Sequence, residues 1–347
     1  MNHLSTLLAT FCILLSGCAI TAGERGLINI ELEVASCKEG REWLEKKITK
    51  AKSPPSFNAE IVSNEFALFG IASENAYANE EGTSTEGEKK VKIQMQRSGT
   101  RWNFLVDQYD PDWKFQKPRR MRAGGLSYDL YYKNPSGTGM MFVMVAWRGV
   151  DFTEPADWWF GGLAWISSLL PGPDQYQTAR REFQKIRIDA RAIAGTRPIY
   201  YYVTGHSLGG GLARHIAAGY PCASAVVFDT SPVTLEYRFK PKIESGLVVD
   251  INERHDELRF LTDWFAVFSR ERNYVHYAFN PVSTGAMQHS ITRLAAAMPR
   301  IVLACVQSAV CEIGTDDAGI VKARNVYCSG YGKADGKVDP VCRGYSE

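Results

Sequence analysis

One short pattern in this sequence could supply a nucleophile. Residues 205–209 read Gly-His-Ser-Leu-Gly, which is Gly-x-Ser-x-Gly with Ser207 at its centre. The residues before it, 199–203, are β-branched or aromatic and predict a buried strand, while the residues after it predict a helix. A sharp strand-to-helix turn of this kind, called a nucleophile elbow, lifts a serine hydroxyl above a sheet edge and places helix N–H groups beside it.

A serine hydroxyl is a weak nucleophile at neutral pH and needs a base, which in turn needs an orienting carboxylate. In folds built on such an elbow, the chain order is serine, then acid, then histidine. His289 follows the last predicted strand, at the edge where the serine emerges, and is the preferred base. His276, inside a strand, and His255, before the preferred acid, stay open as alternatives. His215 lies within the helix after the elbow and is expected in the core or on the surface.

The orienting carboxylate has to lie at the carboxyl end of a strand to reach the imidazole. Asp256 follows the strand predicted at 247–251 after a short loop, and it is the preferred acid. Asp250 lies within that strand, and Asp229 ends the preceding one. Both remain alternatives to Asp256.

When a serine attacks an acyl carbonyl, negative charge develops on the carbonyl oxygen, and two N–H donors have to stabilise it. One donor is expected to be the backbone N–H of Leu208, the residue after the nucleophile. The other is expected in the turn Gly149-Val150, which follows an apolar strand predicted at 140–146, and Val150 is the assigned donor.

A tryptophan-rich segment follows that turn and carries much apolar surface. It could form a helix packed on the core, or a lid or platform for an acyl chain. On the second interpretation Trp158 and Trp159, together with His206 beside the serine, are the candidate substrate-binding residues.

Strands separated by helical runs position these side chains. This alternation predicts an α/β fold with a mostly parallel sheet and helices on both faces. The predicted strands are 127–132, 140–146, the strand that starts at 199 and leads into the elbow, 223–228, 247–251 and 274–279, with a possible edge strand at 101–106. The predicted helices are 39–52, 64–78, 175–194, the helix that follows the elbow and ends at about 219, and 291–298.

The composition is that of a globular protein and gives no indication of nucleic-acid binding. Of 347 residues, 45% are hydrophobic and 22% are charged. The net charge is +2, from 40 basic and 38 acidic residues, and no basic stripe points to nucleic acid.

The first residues indicate a compartment. Residues 7–15 are apolar but too few to span a bilayer, as in a signal peptide. The tetrad Leu15-Ser16-Gly17-Cys18 resembles the lipobox of bacterial lipoproteins. This resemblance implies removal of residues 1–17, lipid modification of Cys18 and a membrane anchor in the cell envelope; with Ala19 next, it implies the outer membrane if the cell has two. A plain signal peptide is the alternative.

Eight cysteines are present, and Cys12 and Cys18 belong to this leader region. Six remain, an even number that suggests disulfides outside the cytoplasm. The last four, Cys305, Cys311, Cys328 and Cys342, are expected to pair among themselves. The resulting division is a signal peptide (1–17), a leader segment (18–60), a hydrolase domain (61–300) and a Cys-rich C-terminal extension (301–347).

Three motifs in one order resemble the class 3 lipases. They are Trp147-Arg148-Gly149-Val150 followed by Asp157-Trp158, the elbow at 205–210, and the run at 251–256 that ends in Asp256. The resemblance covers about residues 64–298 and implies an α/β-hydrolase fold, Ser207 and Asp256 in their expected roles and hydrolysis of acyl esters of lipids. With His289 as the base, this reaction requires no metal or cofactor. The chain departs from the family at Val150, where Thr or Ser is usual, and after Asp256, where an apolar-Val-Pro run is missing.

The sequence therefore predicts a lipid-anchored lipase or phospholipase of undetermined oligomeric state. Two alternatives remain open. One is an esterase or thioesterase acting on a soluble acyl substrate. The other is an inactive envelope lipoprotein that keeps the fold as a binding or structural module, which the substitution at Val150 would suit.

Overall fold

The structure is a computed structural model. It describes residues 30–53, 56–57, 59–77, 110, 112–120, 126–134, 136–137, 139–149, 175–220, 222–231, 246–253, 273–277, 279, 290–307, 323–325, 327–328, 333–334 and 337–342.

Five helices and eleven strands make up the fold within these ranges. The helices are α1 (Ile30–Ala51), α2 (Ala59–Asn75), α3 (Gln175–Ala194), α4 (Leu208–Gly219) and α5 (Ile291–Gln307). The strands are β1 (Lys52–Ser53), β2 (Ser56–Phe57), β3 (Trp113–Arg120), β4 (Ser127–Lys133), β5 (Met141–Trp147), β6 (Ile199–His206), β7 (Ala223–Phe228), β8 (Val248–Glu253), β9 (Asn273–Tyr277), β10 (Lys333–Ala334) and β11 (Lys337–Val338).

The central sheet has seven strands in the order β3-β4-β5-β6-β7-β8-β9. The pairings β3–β4 and β4–β5 are antiparallel, and all pairings from β5 to β9 are parallel. The prediction of a mostly parallel sheet is confirmed. Because parallel strands end at the same edge, the chain leaves β5 to β9 along one rim of the sheet.

Helices cover both faces of the sheet, as predicted. Every residue of β6 is buried, and its side chains alternate between two apolar clusters. Tyr200 and Tyr202 pack with α1, α2 and α5, whereas Tyr201 and Val203 pack with α3 and α4. A strand covered on both faces has no polar side, which explains its unbroken apolar sequence.

Helix α3 has the bounds that its apolar spacing predicts. Tyr176, Phe183 and Ile186 lie on its buried face, against the sheet. Ile188 lies on the other face and is 64% exposed. This single apolar stripe is what the helical period of the sequence encodes.

The segment treated above as a leader contains a long core helix. Helix α1 starts well before the predicted short helix and buries Leu44 and Ile48 in the main core. It approaches β6 so closely that a Cβ at Gly40 would overlap the Tyr200 ring. A disulfide between Cys37 and Cys222 joins α1 to the start of β7.

Two elements that contain a proline differ from prediction. Strand β3, which contains Pro118, was not predicted; as an edge strand with a register shift between Gln116 and Arg119, it tolerates the missing N–H. Helix α5 was expected to end at Met298 but continues through Pro299 to Gln307. Its apolar face packs along α2 and then the tail, so burial outweighs one lost hydrogen bond.

The C-terminal tail packs on the end of α5. Val302 and Leu303 form a small apolar cluster with Tyr327 and the disulfide of Cys328 and Cys342. Cys305 is also disulfide-bonded. The pairing of Cys328 with Cys342 agrees with the expectation that the last four cysteines pair among themselves.

Some predictions fall on residues outside the described ranges. These are the signal peptide with Cys18, the possible edge strand at 101–106 and the tryptophan-rich segment. Among the helices that the structure describes, none combines the length and the apolar character needed to cross a membrane.

Candidate active site

Ser207 occupies a strained turn between strand and helix. Strand β6 ends at His206, α4 begins at Leu208, and Ser207 between them has φ 56° and ψ −125°. Residues other than glycine rarely adopt a positive φ, and such strain concentrates at functional sites. The elbow predicted from Gly-x-Ser-x-Gly is present.

Close approach of backbone explains both glycines of the pattern. A Cβ at Gly205 would lie 2.5 Å from the carbonyl carbon of Gly209. A Cβ at Gly209 would lie 2.9 Å from the carbonyl carbon of Arg148 and from the nitrogen of Gly149. Larger side chains would therefore push the elbow away from the turn after β5.

Three backbone hydrogen bonds hold Ser207 in place. Its N–H donates to the carbonyl of Phe228 at 3.1 Å, at the end of β7. Its carbonyl accepts from the N–H of Gly211 at 3.1 Å and from that of Ser231 at 3.0 Å. The serine backbone is thus tied to α4 and to the exit of β7, and the residue is 4% exposed.

Helix geometry directs N–H groups at this position. Leu208 is the first residue of α4, and the N–H groups in the first turn of a helix have no acceptor within the helix. The partial positive charge at a helix N-terminus also favours a developing anion there. The N–H of Leu208 therefore lies next to the serine at the start of the helix, and its role as an oxyanion donor remains a prediction.

The turn after β5 lies beside the elbow, as the sequence predicted. Trp147 pairs with Gly205 across the parallel strands. The N–H of Gly149 donates to the hydroxyl of Tyr77 at 3.1 Å. Val150, the assigned oxyanion donor of this turn, lies outside the described residues, and its role remains a prediction.

Tyr77 is a site residue that sequence reasoning missed. It follows α2, and its hydroxyl lies 3.1 Å from Nδ1 of His206 and donates to the carbonyl of His206 at 3.3 Å. The guanidinium of Arg148 lies 5.8 Å from the centre of its ring. The sequence carries no signal for this role, because Tyr77 is 72 positions from Gly149, whose N–H donates to its hydroxyl. No local pattern of residues links two positions so far apart.

The alternative acid Asp250 is engaged in a buried ion pair. Its Oδ2 accepts from Arg214 of α4 at 2.9 Å, and both side chains are almost fully buried. Its Oδ1 accepts from Thr230 at 3.1 Å and from Asn252 at 3.0 Å. This network joins α4 to β8 behind the elbow, which is a structural function.

Two further carboxylates lie where β7 and β8 end. Asp229 accepts from the N–H of Glu253 at 2.7 Å, and it has a positive φ of 40°. Glu253, which sequence reasoning did not single out, accepts from the N–H of Phe279 at 3.0 Å.

One of the remaining histidines lies in the core, and the catalytic roles considered for the others remain predictions. His215 is buried, with its Nε2 at 2.6 Å from Arg180, so it belongs to the core. His276 lies in β9. The preferred base His289, the preferred acid Asp256, His255, Trp158 and Trp159 lie outside the described residues, and their roles remain predictions.

Neither the family models nor the curated proteins give a match to this chain. Among solved structures it is similar to a lipase from Rhizopus microsporus var. chinensis, at 16% identity over 55% of this chain and 66% of the lipase, with a TM-score of 0.34. The chain thus spans just under two thirds of that lipase. It is also similar to lipase II from Rhizopus niveus, at 14% identity over 56% and 73% of the two chains, with a TM-score of 0.33. A third similar structure is S-formylglutathione hydrolase from Staphylococcus aureus, at 13% identity over 55% and 95%, with a TM-score of 0.26.

Proposed function

We propose that this protein is a serine ester hydrolase that cleaves acyl esters of lipids, as a lipase or phospholipase does. The observation that carries the proposal is the backbone of Ser207, which three hydrogen bonds hold in a strained conformation at the rim of the parallel sheet. Folding does not require a non-glycine residue there, since glycine would adopt the same angles at lower cost. A serine kept there despite the strain therefore supports a catalytic role for its hydroxyl.

In the proposed reaction the Oγ of Ser207 attacks the acyl carbonyl carbon while His289 takes its proton. The carbonyl oxygen becomes negative and is stabilised by the N–H groups of Leu208 and Val150. The tetrahedral intermediate then expels the alcohol, which receives the proton from His289, and leaves an acyl group on Ser207. Asp256 orients the imidazole. Water, deprotonated by His289, then releases the acid and restores the serine.

The substrate class rests on the tryptophan-rich segment after β5 and on the N-terminus, both interpreted from the sequence. Trp158, Trp159 and His206 are proposed to contact the acyl chain or its ester. A lipid anchor on Cys18 would hold the enzyme at the envelope membrane, where its substrates are. Two or more acyl chains at Cys18 would be needed for stable attachment, because one chain binds only marginally.

Replacement of the nucleophile tests the reaction. Ser207→Ala should lower the rate of p-nitrophenyl ester hydrolysis by about 10⁶-fold. Far-UV circular dichroism should be unchanged. A fluorophosphonate probe should label the parent protein at Ser207 and leave the variant unlabelled. Full activity in the variant would refute Ser207 as the nucleophile, whereas no labelling of the parent would refute the proposal and favour a binding module.

Two further measurements test the substrate and the anchor. Hydrolysis of a glycerolipid ester should rise when the substrate forms an interface; equal rates on dissolved and aggregated esters would favour a soluble acyl substrate.

Cys18→Ala should move the protein from the membrane fraction to the soluble fraction. Mass spectrometry of the membrane form should find acyl chains on Cys18, and an unmodified cysteine would refute the anchor.

A further inference from the structure

Three neighbouring parallel strands end beside the elbow. Strands β7, β8 and β9 lie side by side, with Phe228 opposite Ile251 and Glu253 opposite Tyr277. Beyond β8 the chain leads to the proposed acid Asp256, and beyond β9 it leads to the proposed base His289. The placement of these two side chains therefore depends on how the three strand exits are fixed to one another.

A series of hydrogen bonds links these exits to the nucleophile. The carbonyl of Ser207 accepts from the N–H of Ser231, just after β7. Asp229, two residues earlier in the chain, accepts from the N–H of Glu253 at the end of β8 at 2.7 Å. Oε2 of Glu253 accepts from the N–H of Phe279, just after β9, at 3.0 Å. Each step involves a backbone group, so the series holds main chain and not only side chains.

The two carboxylates in this series are deeply buried. Glu253 is 0% exposed and Asp229 is 1% exposed. Burying a carboxylate is costly unless hydrogen bonds compensate it, and an apolar residue would fill the same space at lower cost. The positive φ of Asp229 adds a conformational cost to the cost of burial. An aspartate kept at both costs supports a specific function for this side chain where β7 ends.

We propose that Glu253 is a positioning residue of the reaction: its carboxylate and its own N–H together fix the starts of the loops that carry Asp256 and His289 relative to Ser207. This inference rests on the proposed function. Asp256 is three residues after Glu253, and His289 is ten residues after Phe279. Glu253 acts through the length and acceptor capacity of its side chain and does not touch the substrate. A shift of either loop would weaken proton transfer and leave substrate binding largely intact.

Two substitutions separate the effect of side-chain length at position 253 from the effect of its charge. Glu253→Gln keeps the length and an acceptor oxygen but removes the charge, whereas Glu253→Asp keeps the charge and shortens the side chain by one methylene. We expect Glu253→Asp to lower kcat on a p-nitrophenyl ester by about 10²-fold, with KM changed less than about twofold, because a misplacement of about 1 Å costs that much. Glu253→Gln should keep kcat within about fivefold of the parent, since it still accepts from Phe279.

A matched control removes a buried hydrogen bond at the other end of the sheet. The Tyr200 hydroxyl bonds to Ser224 at 2.5 Å, far along β6 from the elbow. Tyr200→Phe should lower the melting temperature as the Glu253 variants do and leave kcat unchanged. If Glu253→Asp does not fold, Glu253→Met replaces it, because a thioether fills the volume and is a poor acceptor.

The outcomes are distinguishable. Parent-like kcat in a folded Glu253→Asp, or a larger loss in Glu253→Gln than in Glu253→Asp, overturns the positioning role while labelling of Ser207 in the parent upholds the hydrolase. Loss of folding in both Glu253→Asp and Glu253→Met also overturns it, since Glu253 is then a folding residue. Absence of Ser207 labelling in the parent overturns the hydrolase and this inference together.

Discussion

The N–H of Gly149 donates a hydrogen bond to the hydroxyl of Tyr77 at 3.1 Å. This bond joins the turn after β5 to the end of α2, and the same hydroxyl contacts His206 of the elbow. One side chain therefore sets the distance between the turn proposed to hold the oxyanion donor Val150 and the turn that holds Ser207. Glycine suits position 149, because a Cβ there would overlap the tyrosine hydroxyl and lie 2.7 Å from the carbonyl oxygen of His206.

Tyr77→Phe should lower kcat/KM for ester hydrolysis by about tenfold, within the effect of losing one oxyanion donor. The reason is that Gly149 loses its acceptor and the turn with Val150 can then shift. Steady-state kinetics on a p-nitrophenyl ester measures the effect, with Tyr200→Phe as a control that removes a tyrosine hydroxyl elsewhere. An unchanged kcat/KM in Tyr77→Phe would show that the turn is held by other contacts.

Ser207→Gly should stabilise the protein while abolishing activity. Ser207 has a φ of 56°, and glycine adopts such angles without steric strain. Relief of about 1 kcal/mol should raise the melting temperature by about 2–4 °C. Ser207→Ala keeps the Cβ and should show no such gain, so equal melting temperatures for the two variants would contradict the strain.

The buried pair of Arg214 and Asp250 should respond differently to single and double substitution. Asp250→Leu leaves a buried guanidinium without its carboxylate and should cost about 3–5 kcal/mol of unfolding free energy. Arg214→Met combined with Asp250→Leu removes both charges and should cost less than the single change. Urea unfolding measures both, and a double variant less stable than the single one would be the contrary result.

Asp339 should make the attachment of the C-terminal tail sensitive to acid. Burial raises its pKa, but hydrogen bonds from Arg300, Val341 N–H and Tyr327 outweigh this and place the pKa below its usual value of 3.8. A carboxylate with a lowered folded-state pKa contributes stability above its unfolded-state pKa and loses it as pH falls through the folded-state value.

The protection of tail amides against hydrogen exchange should accordingly be greater in the parent than in Asp339→Asn at about pH 6. The difference should shrink as the pH falls below 3.8 and disappear in acid strong enough to protonate Asp339 in the folded protein. Arg300→Met, which removes the partner that donates to Asp339 at 2.9 Å, should behave like Asp339→Asn. A difference that persists in strong acid would contradict the ionic origin of the contact.

The sequence by itself determined the elements whose signal is local. The bounds of α3 and β7 follow from apolar spacing, and the elbow at Ser207 follows from glycines that leave room for crossing backbones. Such patterns depend on residues within one or two turns of each other, so periodicity and local sterics suffice to read them. Chain order and the ends of the predicted strands supplied the predicted partners Asp256 and His289, and one of the three family motifs ends in Asp256.

Only the tertiary structure decided the contacts between distant residues. It placed α1 in the core through the disulfide of Cys37 and Cys222, which are 185 residues apart, and it carried α5 through Pro299 because packing along α2 outweighs one lost hydrogen bond. It also brought Tyr77 to the elbow and engaged Asp250 with Arg214. These pairings depend on which surfaces meet when the sheet and its helices pack together, and no local pattern of residues encodes that.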